Sequence, residues 1–274
     1  MTDVKDFCSQ APGSASLGDI SQFFLTPTLK NPISSYKDAQ KEIIQLGALG
    51  QMITHPHLGR LLLVGSVSAF ENYCRGVLSS CLDICPIAQS LSSEKNTNLG
   101  GAIWHGRRGN FNRSAFEHKS FTDSKELKSC FKEYLGIDIG SNLFSDYLSN
   151  FDRIMHLRHA IVHADGILPG RNAVKLEIPR SSRELSIAID MNRLQEVVLV
   201  LSGLVHLLNR EIFNAMCDRW TYKWRARADW EEERASKTLG LIYDIFIDDD
   251  LKISRRWKKQ WTKRALEDAL LQQL

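Results

Sequence analysis

The segment from Leu58 to Ile84 places the strongest limit on how this 274-residue chain can fold. Its sequence, LGRLLLVGSVSAFENYCRGVLSSCLDI, is apolar on nearly every side of a helix, and Pro86 follows it. A long helix that is apolar almost all round is stable in water only when neighbouring elements surround it. Proline then ends the helix, because it lacks a backbone N–H. The segment therefore predicts an all-α up-and-down bundle with this helix at its centre.

Apolar periodicity and capping residues, with Asp123 or Ser124 at one helix start and Asp190 at another, predict further helices around that centre. These helices cover about 36–53, 125–135, 141–165 and 190–222. We expect an irregular lead-in over 1–33, a bundle over 34–217 and a basic, Trp-rich helical extension over 218–274. Two short alternating apolar runs predict a small β-hairpin insertion between 173 and 189. They comprise Val174, Leu176 and Ile178, then Leu185, Ile187 and Ile189.

Composition narrows the setting in which the chain works. Its six cysteines include no CxxC pair, and Cys74, Cys81 and Cys85 lie within the apolar central helix. This usage favours a reducing compartment over a disulfide framework. The N-terminus lacks a signal-peptide pattern, and the most apolar windows are too short or too charged to cross a membrane. We therefore expect a cytoplasmic protein with no membrane partner. The formal charge of +3 does not by itself indicate a nucleic-acid partner.

The stretch 149–166, SNFDRIMHLRHAIVHADG, contains three of the chain's eight histidines within eight positions. Its helical periodicity places Ile154, Leu157 and Ile161 on one side, which we expect to be buried. A line of titratable side chains falls on the opposite side: Asp152, His156, His159 and His163. Gly166 is expected to end this helix.

Three interpretations of this polar face remain open from spacing alone. His159 and His163 are four apart and could share a divalent ion, with His156 and Asp152 on the same face. A further metal ligand could come from one of four other histidines: His55, His57, His105 or His118. Alternatively, Arg158 and His163 could form a catalytic pair. They diverge by about 140° and rise about 7.5 Å, so a long side chain or a second copy of the helix would have to join them. The third interpretation is a solvated polar face.

Two segments combine basic and aromatic residues, as in surfaces that hold phosphates and stack bases. The first, a loop over 99–113, carries Arg107, Arg108 and Arg113. The second, over 251–264, carries seven basic residues, among them Arg255, Arg256, Lys258 and Lys259, together with Trp257 and Trp261. The alternatives are a solvated loop and an amphipathic helix whose tryptophans pack on the body of the protein.

The run Arg158–His163, RHAIVH, resembles the signature of the HEPN superfamily: an arginine, a polar residue, three mostly apolar residues and a histidine at the end of a bundle helix. The segment SAFENYCRGVL resembles an earlier bundle helix of such proteins, with Glu71 where many carry an acidic residue. Glu71 also precedes Arg75 by four positions, so an ion pair along the helix is the alternative role. The resemblance covers about 36–215.

This resemblance implies a metal-independent endoribonuclease with no cofactor, whose site forms where the 141–165 helices of two subunits meet in a homodimer. His163 would then be the acid or base, Arg158 the phosphate-binding residue and His159 a supporting donor. We expect supporting roles for Glu71, Asp152 and His156. The resemblance also implies a toxin or antiviral defence effector that a protein partner neutralises or activates. The alternatives are a non-catalytic RNA-binding or scaffolding module, and a metal-binding hydrolase that uses His156, His159 and His163.

Overall fold

The structure is a computed structural model that describes residues 16–107, 109–227, 230–256 and 262–274. The chain divides after Lys30 into two units. The first unit, described from residue 16, contains one short 3-10 helix, Ile20–Phe23. Asp19 caps this helix by accepting a hydrogen bond from the Ser21 amide at 2.9 Å. The second unit, from Asn31 onwards, contains the bundle.

Helices dominate the second unit, as the sequence predicts. They are α1 (Pro32–Ala48), α2 (Gln51–Thr54), α3 (Pro56–Ile84), α4 (Pro86–Ser92), α5 (Leu99–Gly106), α6 (Ser124–Leu135), α7 (Asn142–Ala164), α8 (Gly170–Lys175), α9 (Met191–Asp218), α10 (Glu232–Phe246), α11 (Asp249–Arg256) and α12 (Lys263–Leu271). A 3-10 helix covers Phe111–Ala115, and α9 continues into a π-helix, Arg219–Trp224. Every helix in the described part of the chain is too short or too polar to cross a membrane.

Helix α3 occupies the centre, where it contacts α1, α6, α7, α9 and α10. Phe70, Cys74, Val77 and Leu78 on this helix are completely buried. The Phe70 ring lies 4.9 Å from the ring of Phe151 on α7, which fixes α7 against the centre of the bundle. The prediction of a central apolar helix is therefore confirmed, because its surface is covered from several sides.

Local capping explains where the helices begin. Asp123, one of the two caps expected for α6, accepts the Glu126 amide at 2.8 Å, and Asp190 accepts the Arg193 amide at 2.9 Å as predicted. Helix α1, in contrast, begins at Pro32 and not near residue 36. Asn31 caps it by accepting the Ser34 amide at 2.8 Å. The Asn31 amide group also donates to the Ile247 carbonyl at 2.8 Å, so a tertiary contact sets this boundary.

The predicted β-hairpin over 173–189 is wrong, since the described residues contain no strand and only one isolated bridge, Ile167 to Ser186. Residues Gly170–Lys175 form α8, and the amide of Ile178 returns to the Ala173 carbonyl at 2.9 Å. Those bonds close the turn locally, so the 174–178 run has no strand partner. A three-residue alternation fits a short helix and its turn equally well, which is why the pattern misled.

Residues beyond 217 add to the same hydrophobic core. Trp220 is completely buried, and its indole N–H donates to the Ala235 carbonyl on α10 at 2.9 Å. Leu239 and Ile242 of α10 join this core, together with Leu270 of α12. The predicted extension therefore packs within the second unit, which runs from Asn31 to Leu274.

Candidate functional site

Helix α7 presents the RHAIVH motif on its last turns. Ile154 is buried, and Leu157 and Ile161 pack against the core, so the predicted inner face is confirmed. Ala160 is also completely buried. These contacts fix the rotation of α7 and leave the opposite face of its C-terminal half towards solvent.

Two motif histidines lie next to each other on that outer face. The rings of His159 and His163 are exposed, with their centroids 4.6 Å apart. Partial desolvation lowers the pKa of His159, and the charges of His163, Arg158, His156 and Arg171 lower it further. With this lowered pKa, His159 stays neutral down to a lower pH than a free imidazole does.

Arg158 and His163 are available to a ligand. Among the described residues, neither side chain has a hydrogen-bond or ion-pair partner. Arg158 is half-buried, whereas His163 is exposed. Since α7 is regular through Ala164, the two residues stay about 140° apart around the helix and about 7.5 Å apart along it. One chain therefore points the two groups in different directions.

The C-terminal end of α7 is held by Arg60 of α3, a residue that the sequence analysis missed. Its guanidinium donates to the Asp165 carbonyl at 2.6 Å, the Ile187 carbonyl at 2.9 Å and the Ser186 hydroxyl at 2.7 Å. Asp165 and Gly166 both have left-handed backbone conformations, with φ of 47° and 80°. Arg60 thus binds the turn that begins two residues after His163.

We expect Gly166→Ala to lower the free energy of unfolding by about 1–2 kcal/mol, the usual cost of a left-handed conformation in a residue with a Cβ. A Cβ at this position would also lie 2.6 Å from the Arg60 guanidinium carbon. Urea unfolding would measure the change. Gly170→Ala is the matched control, because a Cβ there meets nothing within 4 Å. Equal stabilities of the two variants would contradict this role for the turn.

Two residues expected to support catalysis have structural partners instead. Asp152 accepts hydrogen bonds from the Ser124 amide and hydroxyl at 2.6 and 2.7 Å, which ties the start of α6 to α7. Glu71 accepts a hydrogen bond from Arg75 at 2.8 Å, the ion pair that four-residue spacing allows. Arg75 also donates to the Lys119 carbonyl at 2.8 Å. Asp152 therefore joins α6 to α7, and Glu71 pairs with an arginine that holds the segment before α6.

The geometry gives the metal-site interpretation no support. No group of three or more His, Cys, Asp or Glu residues that could hold a metal ion occurs in the part of the chain that the structure describes. Asp152 is engaged by Ser124, as above. Two of the four histidines considered as further metal ligands lie near a single carboxylate each. His57 lies 3.9 Å from Asp165, and His105 lies 2.5 Å from Glu117.

The predicted basic RNA-binding segments are described only in part. The 99–113 segment is not a loop, because it contains α5 and the start of the following 3-10 helix. Arg107 is exposed at the end of α5, and Arg113 donates to the Asn72 side chain at 2.9 Å. The remaining predicted contacts lie outside the described residues or side chains: Arg108, Arg255, Arg256, Lys258 and Lys259.

A groove beside the motif was not predicted from the sequence. It encloses about 630 Å³ between the start of α6, the middle of α7 and α8, and we call it the α6–α7–α8 groove. His156 and His159 line it from α7. Four cationic residues also line it: Lys125, Arg153, Arg171 and Lys175. The available sequence signal was the four-residue spacing of Arg171 and Lys175 after Pro169.

The helical bundle and the motif at the end of α7 define an HEPN-type domain. The model of the RiboL-PSP-HEPN family matches residues 30–214, more than half of the chain, so this protein belongs to that family. No curated protein and no solved structure matches the chain. Membership indicates, in general terms, a ribonuclease or RNA-binding function.

Proposed function

We propose that this protein is a metal-independent endoribonuclease whose site combines Arg158 of one subunit with His163 of another. The main support is the availability of both side chains, which have no polar partner among the described residues. Both residues lie on the last turns of α7, within the residues 30–214 that match the RiboL-PSP-HEPN family. A guanidinium with no polar partner keeps all of its N–H donors for a phosphate.

The residue types suit cleavage of RNA by its own 2′-OH. One group must remove the 2′-OH proton as the oxygen attacks phosphorus, and a proton must reach the departing 5′-oxygen. Imidazole can carry out either transfer near neutral pH, which is the role proposed for His163. The guanidinium of Arg158 offers a permanent charge and paired N–H donors to the phosphorane oxygens. The products are a 2′,3′-cyclic phosphate and a free 5′-OH, and DNA is inert because it lacks the 2′-OH.

A twofold dimer through α7 would solve the geometric problem of one helix. In such a dimer, the same surface of each subunit faces the other, so Arg158 of each chain can approach His163 of its partner. Val162 lies on the outer face of α7 and is 46% exposed. Around the helix axis, it falls between Arg158 and His163. An exposed apolar side chain flanked by the two groups suits a helix that pairs with its own copy.

Mixing two inactive variants tests the shared site. Arg158→Ala and His163→Ala should each reduce cleavage of labelled RNA in EDTA by at least about 100-fold. After the subunits are exchanged, half of the dimers are mixed and each mixed dimer has one intact site, so activity should return to about a quarter of wild type. A site within one chain would give no recovery. Activity that EDTA abolishes and zinc restores would instead favour a metal-dependent hydrolase.

A non-catalytic RNA-binding module is the second candidate function, and the cationic α6–α7–α8 groove favours it. Such a module would bind RNA but leave it uncut in both wild type and variants.

For the enzyme, we also propose action in the cytoplasm as a toxin or antiviral effector under the control of a protein partner, as the HEPN likeness implies. Purification of the chain with the product of a neighbouring gene, and loss of cleavage in that complex, would test the control.

A further inference from the structure

The lining of the α6–α7–α8 groove carries four cationic side chains and three carboxylates, those of Asp123, Asp152 and Glu177. Lys125, Arg171 and Lys175 are exposed, and none of them has an ion-pair partner among the described residues. The fourth cation, Arg153, lies 3.9 Å from Glu177. The groove therefore offers three cationic side chains that could bind an anionic ligand.

The other two carboxylates in the groove accept hydrogen bonds from the first turn of α6. Asp152 accepts the amide and hydroxyl of Ser124, and Asp123 accepts the amide of Glu126. These bonds also take up the Ser124 and Glu126 amides at the start of α6. The attraction for an anion comes from side chains that belong to two helices, α6 and α8.

The groove is a built part of the fold. Asn172, which is 4% exposed, donates its side-chain N–H to the His156 carbonyl at 2.9 Å. This bond holds α8 against α7 and keeps Arg171 at the edge of the cavity. Because the contact is buried, the positions of the cations do not depend on surface loops alone.

The groove also reaches the neighbour of His163, the proposed acid or base. His159 lines the cavity, and its ring lies 4.6 Å from the ring of His163. Along α7, His159 precedes His163 by one turn, a rise of about 6 Å. An extended polyanion that passes His163 can therefore place its neighbouring anionic groups in the groove.

We propose that the α6–α7–α8 groove binds backbone phosphates of single-stranded RNA next to the scissile one, through Lys125, Arg171 and Lys175. This inference rests on the proposed function, since it extends the substrate beyond the cleaved bond. Phe, Tyr and Trp are absent from the described lining, where the exposed cations are the main groups that an RNA strand would meet. The contacts are therefore to phosphates, and they hold RNA without selecting its sequence.

Binding measurements test the groove separately from cleavage. Full-length His163→Ala protein serves as the background, and a fluorescent single-stranded oligoribonucleotide is the probe. For single strands, each phosphate contact contributes about 0.7 to the slope of log affinity against log salt. Replacing Lys125, Arg171 and Lys175 by Ala should lower the slope by about 2 and weaken binding by about 100-fold at 0.1 M salt.

The matched control removes three exposed cations that belong to other helices and do not line the groove: Lys41, Lys223 and Lys237, each changed to Ala. This variant should keep the salt slope of the background protein. Equal slopes for the groove and control variants would overturn the groove while leaving the proposed cleavage intact. Competition distinguishes the ligands: displacement of the oligoribonucleotide by inorganic phosphate at equal phosphate concentration would indicate a site for a free anion and also overturn the proposal. Absence of RNA binding by wild type would overturn both proposals.

Discussion

His163→Ala is expected to reduce the rate of RNA cleavage by about 10²–10⁴-fold, the usual contribution of a general acid or base. The exposed ring has no polar partner among the described residues, so its removal should leave the fold unchanged. Single-turnover cleavage of labelled RNA in EDTA would measure the loss. Affinity for uncut RNA should change little, because His163 acts on the proton and Arg158 on the phosphate.

His118→Ala is the control, since His118 is another exposed histidine outside α7. It should cleave RNA at the wild-type rate. Arg158→Lys adds a second comparison, because it keeps the charge but loses the paired donors of the guanidinium. Cleavage by His163→Ala at the wild-type rate would contradict the catalytic assignment. Failure of wild type itself to cut RNA, with binding retained, would favour the non-catalytic module.

Trp220→Ala is expected to lower the free energy of unfolding by about 3–5 kcal/mol, the cost of truncating a large buried aromatic side chain. Trp220 is completely buried at the start of the π-helix. Its ring contacts the ring of Trp230 edge-on at 6.0 Å, and the Arg225 guanidinium lies 4.9 Å from its centroid. The substitution removes these contacts and the hydrogen bond to Ala235. Urea unfolding, followed by circular dichroism at 222 nm, would measure the change.

Tyr222→Ala is the matched control on the same π-helix, because its ring is 52% exposed. It should change the free energy of unfolding by less than about 0.5 kcal/mol. A single cooperative transition that shifts as a whole in Trp220→Ala would show that residues beyond 217 unfold with the bundle. A separate early transition, with the main one unchanged, would show an independent extension and support the predicted boundary at 217.

The helical bundle could be predicted because its signals are local. The all-round apolar character of α3, the caps Asp123 and Asp190 and the stop at Gly166 depend on residues close together in the chain. The motif on α7 was visible for the same reason. The hairpin prediction failed because three alternating residues carry too little information. There, local hydrogen bonds after α8 and the pairing of Ile187 with Gly166 decided the structure.

The roles of individual side chains at the site depended on distant contacts. Asp152 shares a helical face with three histidines, but its carboxylate accepts hydrogen bonds from Ser124 of α6. Glu71 could be either a catalytic carboxylate or the partner of Arg75, and the structure shows the ion pair. Spacing places residues on one face, whereas packing determines which of them remain available.

The sequence by itself determined the bundle and the Arg158–His163 motif, because helix periodicity and residue identity act over a few turns. Only the tertiary structure decided that Arg60 binds the end of α7 across 105 positions, and that Lys125 meets Arg171 and Lys175 around one groove. The physical reason is that these groupings arise when helices distant in sequence pack on a shared core. Packing of α3 in the core brings Arg60 to the end of α7. The contact of α8 with α7 brings Arg171 and Lys175 to the groove.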